Sequence, residues 1–120
     1  MRNKEREIIF NKYNGKCAYC GCELQKGWHI DHLEPIRRGV LKGGKTMHPE
    51  RNCMDNYMPS CASCNINKHS ESIESFRSHI KGYMKHLNEI STQYKIAKRY
   101  GLVTENNKEI IFHFELQLKK

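Results

Sequence analysis

The chain has 120 residues, with 21 lysines and arginines against 13 aspartates and glutamates, a formal charge of +8 and a sequence pI near 9.3. This is the length of one small domain, and with 38% hydrophobic residues and a mean hydropathy of −0.82 its core is weakly stabilised by burial alone and gains a great deal from a metal or disulfide staple. No apolar stretch approaches the roughly 20 residues that span a bilayer, and the N-terminus MRNKEREIIF lacks the apolar run of a secretory signal; this excludes a membrane protein and points to the cytoplasm. In that reducing compartment paired cysteines read as metal thiolates, and the positive excess points to a polyanion, nucleic acid ahead of an anionic membrane.

In chain order, residues 2–13 read as a helix: Asn3 suits the cap, Glu5 and Glu7 the first turn, and Ile9, Phe10 and Tyr13 recur at helical spacing. Asn14-Gly15 ends it. Cys17-Ala18-Tyr19-Cys20-Gly21 reads as a tight turn aiming two sulfurs at one point, followed by a strand over 28–32. Residues 37–51 carry Gly39, Gly43, Gly44 and Pro49 among Arg37, Arg38, Lys42, Lys45 and Arg51, which reads as a long basic loop. A short helix is expected around 65–69, beside Cys61 and Cys64.

The longer helix predicted over 72–90 has a core-facing stripe of Ile73, Phe76, Ile80, Tyr83 or Met84, Leu87 and Ile90, with Ser70 or Ser72 as cap. A second helical stretch at 94–100 is broken by Gly101, and Asn106-Asn107 turns the chain. Ile110, Phe112, Phe114, Leu116 and Leu118 then alternate with polar positions, which predicts a final strand.

Two CxxC pairs, Cys17/Cys20 and Cys61/Cys64, lie on either side of a long insertion, the pattern of a closed four-cysteine zinc site whose binding energy contributes to folding. Cys22 and Cys53 read as non-ligands. Four thiolates and one dication remove two positive charges from +8, leaving about +6, so the nucleic-acid inference holds. Closing that site would draw Asp31-His32 and Asn65 into one neighbourhood. Histidine can activate water at neutral pH, and oxygen ligands such as Asp31 and Asn65 suit Mg2+ or Mn2+ on a phosphate.

Four segments in this order, Cys17-Ala-Tyr-Cys-Gly21, Ile30-Asp-His-Leu-Glu-Pro-Ile36, Asn56-Tyr-Met-Pro-Ser-Cys61 and Cys64-Asn-Ile-Asn-Lys68, resemble the zinc-ribbon branch of the HNH endonucleases, the ββα-metal superfamily. The resemblance covers about 13–69. It implies an α+β fold: a ββα-metal core clamped by zinc, with flanking N- and C-terminal helices and an extra C-terminal strand to which it assigns no role. The whole chain, 1–120, is then one nuclease domain, with its core at about 13–69 and an extension at about 70–120.

By position in the motif, His32 would be the general base, Asp31 a ligand of the catalytic cation, Asn56 the asparagine that orients the histidine and steadies the loop, and Asn65 the second cation ligand. Many members have histidine where Asn65 stands; an amide oxygen is the harder ligand and favours Mg2+. His69, four residues on, would share the face of Asn65 and reads as a surface histidine with a ligand role as the alternative.

Arg37, Arg38, Lys42 and Lys45 could grip DNA phosphates beside the scissile bond, with a merely solvated basic loop as the alternative, and Lys68 would bind phosphate or solvate its helix. The implied activity is metal-dependent DNA cleavage, nicking or double-strand, with structural Zn2+ and catalytic Mg2+ or Mn2+. DNA is the implied partner, with a homodimer or a phage protein as further partners, and a phage or mobile-element source implies the host cytoplasm. Two rivals stay open: a zinc-ribbon accessory module that binds nucleic acid without cutting, and a protein-binding zinc domain.

Overall fold

The computed structural model describes residues 3–37 and 48–118; Arg38, Lys42 and Lys45 lie outside the described residues. Mixed helices and one two-stranded antiparallel sheet make up the fold, and contacts divide it into two units, Met1–Ile73 with Ile111–Lys120, and Glu74–Ile110. Among the described residues no helix is long and apolar enough to cross a membrane.

In the first unit α1 (Asn3–Asn11) carries Glu5 in its first turn and buries Ile9. Arg6 fastens it to the chain ahead of the sheet: its guanidinium lies 4.0 Å from the Trp28 ring centroid and donates to the Trp28 carbonyl at 2.7 Å. Asn14 and Gly15 follow with φ of 56° and 78°, and the Gly15 amide returns to the Phe10 carbonyl. A Cβ at position 15 would stand 3.0 Å from the Phe10 ring, so the left-handed turn also needs glycine for space.

The chain then doubles back as the first cysteine knuckle, with Cys17 N–H donating to the Cys22 carbonyl and Gly21 N–H to the Cys17 carbonyl. Strand β1 (His29–His32) pairs antiparallel with β2 (Tyr57–Ser60), setting Asp31 opposite Met58 and His32 opposite Tyr57. Two short 3-10 turns, Pro49–Arg51 and Met54–Asn56, lead into β2. Helix α2 (Ala62–Lys68) begins at the second knuckle, where Cys61 caps it by accepting from Cys64 N–H.

The final strand expected over 110–118 is not formed. Its second half is α5 (His113–Leu118), with the Glu115 carboxylate accepting from Phe112 N–H at the helix start. The apolar alternation served a different end. Phe112 and Phe114 are both buried, stacked 6.1 Å apart and edge-on to Tyr19, while His113 and Phe114 N–H donate to the carbonyls of Tyr19 and Ala18. Two backbone bonds dock the segment on the knuckle and leave no ladder to extend, so the chain coils.

The second unit holds most of α3 (Ile73–Ile90), then α4 (Thr92–Arg99) capped by the Ser91 hydroxyl. Of the predicted apolar stripe only Phe76 is fully buried; Tyr83, Met84 and Ile90 are more than a third exposed. So short a unit has little interior to offer them. Glu105 ties it together, accepting from Tyr94 Oη at 2.6 Å, Asn88 Nδ2 at 2.9 Å and Lys98 Nζ at 3.0 Å.

Candidate active site

The sulfurs of Cys17, Cys20, Cys61 and Cys64 all lie within 4.8 Å of one another, and Cys20 and Cys61 are 3.8 Å apart. A tetrahedral dication with metal–sulfur bonds of about 2.3 Å places its sulfurs about 3.8 Å apart, so spacing and donor set fit an ion such as zinc. The backbone already favours thiolates here: Tyr19 and Cys61 N–H point at Cys17 Sγ and Cys64 N–H at Cys61 Sγ, each at 3.4 Å.

A hydrogen bond from Cys64, with further help from backbone N–H groups, pulls the Cys17 thiol down to about 4 against the effect of burial. The same bond and burial push Cys64 up. Crowded sulfurs cannot all ionise without a cation among them. Cys22 lies beside the cluster, pushed up to about 12 by burial and by Cys20 and Cys61.

The next layer rests on this knuckle. Asp31 points inward from β1, 8% exposed, and its Oδ2 accepts from the Tyr19 hydroxyl and, at 2.9 Å, from the Lys68 ammonium. Burial and the Asp31 charge push the Tyr19 phenol far above its ordinary range, which keeps it a donor. Lys68, read from sequence as a phosphate contact or a solvated side chain, is instead 0% exposed and also donates to the His32 carbonyl at 2.9 Å. A buried ammonium needs a carboxylate, and α2 packs on β1 so that Asp31 supplies it.

The His32 ring occupies the other side of this strand end. Its Nε2 lies 3.0 Å from Asn52 Oδ1, and its ring meets the Tyr57 ring edge-on at 5.3 Å. Asn56 steadies the loop between the strands: its amide donates to the carbonyls of Glu34 and Arg51 at 2.8 and 2.7 Å and accepts from Glu34 N–H at 2.8 Å. Its side chain makes these loop bonds, while the imidazole meets Asn52.

Asp31 and His32 open together on a cavity of about 430 Å³, also lined by Pro35, Ile36, Arg37, His69, Ser70 and Glu71. Arg37 and His69 hold φ of 55° and 54°, a left-handed backbone that side-chain-bearing residues rarely adopt. Strain of this kind, about 1–3 kcal/mol each, collects at functional sites. Asn65 is half-buried on α2, with its carbonyl bonded to His69 N–H one turn later, and is not among the lining residues. Sequence spacing could place His69 on the face of Asn65; its place on the cavity depends on the turn after α2. Nothing in the sequence marked Asn52 or the Tyr19 hydroxyl.

Residues 17–71, which hold both knuckles, the sheet and α2, match the family model described as HNH endonuclease. That stretch of the chain is therefore an HNH endonuclease domain, and the assignment brings nucleic acid as substrate class and a divalent metal as usual cofactor. No curated protein and no solved structure matches the chain.

Proposed function

We infer that the protein is a metal-dependent DNA endonuclease. The observation that carries this reading is the pairing of a buried, oriented carboxylate, Asp31, with an imidazole, His32, on the rim of one open cavity inside an HNH domain. His32 takes a proton from a water that attacks phosphorus in line. A new phosphorus–oxygen bond forms, the bond to the 3′ oxygen breaks, and that oxygen leaves with its electron pair and is protonated. The products are 5′-phosphate and 3′-hydroxyl ends.

Asp31, on the cavity, would hold a hard divalent cation, Mg2+ or Mn2+, with Asn65 as second ligand on the strength of the motif alone; the chemistry such a cation supplies when bound is to stabilise the charge developing on the phosphate. Tyr19 and Lys68, both on Oδ2, fix the carboxylate and leave Oδ1 as its second oxygen. Arg37 at the cavity rim offers a guanidinium to phosphate, and the positive charges of Arg38, Lys42 and Lys45 would add to the affinity for a phosphate backbone. Zinc on the four cysteines is structural. One such site cuts one strand, so double-strand cleavage calls for a homodimer or two successive events.

The test is an end-labelled duplex incubated with zinc-loaded protein and Mg2+, with fragment ends identified. Fragments with 5′-phosphates and 3′-hydroxyls are expected. An intact duplex under Mg2+, Mn2+ and Ni2+ that is nonetheless bound with an affinity falling steeply in salt would identify a non-catalytic DNA-binding zinc module instead.

A further inference from the structure

The His32 imidazole has its side-chain hydrogen bond to Asn52 and not to the asparagine of the family motif. Asn56 spends its side chain on Glu34 and Arg51, and the imidazole of His32 meets Asn52, four positions earlier. Asn52 is held in turn. Tyr57, the cross-strand partner of His32, donates its hydroxyl to Asn52 Oδ1 at 2.7 Å, and Lys12, just past the end of α1, anchors the Tyr57 carbonyl at 2.9 Å.

A carbonyl oxygen accepts and never donates. Both Tyr57 Oη and His32 Nε2, at 2.7 and 3.0 Å, must therefore bring the proton to Asn52 Oδ1, whose two lone pairs accommodate both. An Nε2–H imidazole has its lone pair on Nδ1. The edge-on Tyr57 ring restrains the same imidazole from the side, so its orientation and its tautomer are fixed by one pair of neighbours.

We propose that Asn52, braced by Tyr57, is a positioning residue that locks His32 as the Nε2–H tautomer and makes Nδ1 the atom that accepts the proton of the attacking water. This rests on the reading of His32 as the base, but the tautomer can be observed without DNA or a catalytic cation. A histidine in this role that could present either nitrogen would spend part of its time with a proton where the lone pair is needed.

The experiment is long-range 1H–15N NMR of the imidazoles in zinc-loaded full-length protein at about pH 8.5. His32→Gln assigns the resonances. The wild type is expected to show a protonated Nε2 and a bare Nδ1 at His32. Asn52→Ala is expected to give mixed tautomers with zinc content and backbone spectrum retained, while Asn52→Asp, which keeps the acceptor, restores the wild-type ring. In cleavage assays Asn52→Ala should lower kcat about tenfold or more with KM for DNA unchanged, and Asn52→Asp should recover most of it.

A proton on Nδ1 in the wild type overturns the proposal, and that spectrum decides the matter even if Asn52→Ala does not fold. So does an unchanged tautomer in Asn52→Ala. An Nε2–H ring in a protein that never cuts DNA would retain the positioning and reject the nuclease, whereas cleavage with an Nδ1–H ring would do the reverse.

Discussion

Asn56 is the residue whose loss should be felt without touching the chemistry directly. Three side-chain hydrogen bonds join it to Glu34 and Arg51, closing the long connection between the strands at its base. Asn56→Ala should lower the unfolding free energy by about 1–2 kcal/mol in urea denaturation of the zinc-loaded protein, since it removes three hydrogen bonds, of which the one to the Arg51 carbonyl is partly buried. This position was legible from the motif; the role of Lys68 was not. A lysine closing a short helix normally reaches solvent, and only the packing of α2 on β1 shows that its ammonium is needed beneath the strand by Asp31. Lys68→Met would leave that carboxylate buried without its cation and should cost about 3–5 kcal/mol, read from the same denaturation curves.

At the scale of elements, the two knuckles were readable because thiolate chemistry demands fixed spacing, and the cluster formed as the spacing required. Stripping the metal with a strong chelator should therefore cost the first unit its cooperative thermal transition, with recovery on adding zinc back. The C-terminal segment misled for a definite reason: alternation of apolar residues records which side chains are buried, and Phe112 and Phe114 are buried against Tyr19 rather than in a sheet. Gly21, with φ of 77°, belongs to the same docking, because a Cβ there would come within 3.2 Å of the His113 ring.

In the second unit the Tyr94 hydroxyl, Asn88 and Lys98 pull the Glu105 carboxyl down to about 2. A carboxylate depressed in the folded state stabilises it above the ordinary glutamate range, and that stabilisation is lost as the pH falls through about 2. Carboxyl-carbon NMR should show Glu105 titrating near 2, and Tyr94→Phe should move its midpoint back toward the ordinary value.

For the whole molecule, the positive charge, the HNH domain and the Asp31–His32 rim all fit the proposed function, in which a scaffold stapled by a metal on four cysteines would hold a carboxylate and an imidazole against a nucleic-acid backbone. Charge and cysteine spacing were visible in the sequence because each acts through composition or fixed intervals. The cavity was not, because it depends on the turns after β1 and α2, where Arg37 and His69 adopt left-handed backbone that no local pattern announces. The most direct measurement is the relaxation of supercoiled plasmid by zinc-loaded wild type and by folded His32→Ala in Mg2+. The account predicts nicked circles from the wild type and a rate at least about a hundredfold lower from the variant. Equal rates, or intact plasmid from both with Mn2+ and Ni2+ also supplied, would contradict it.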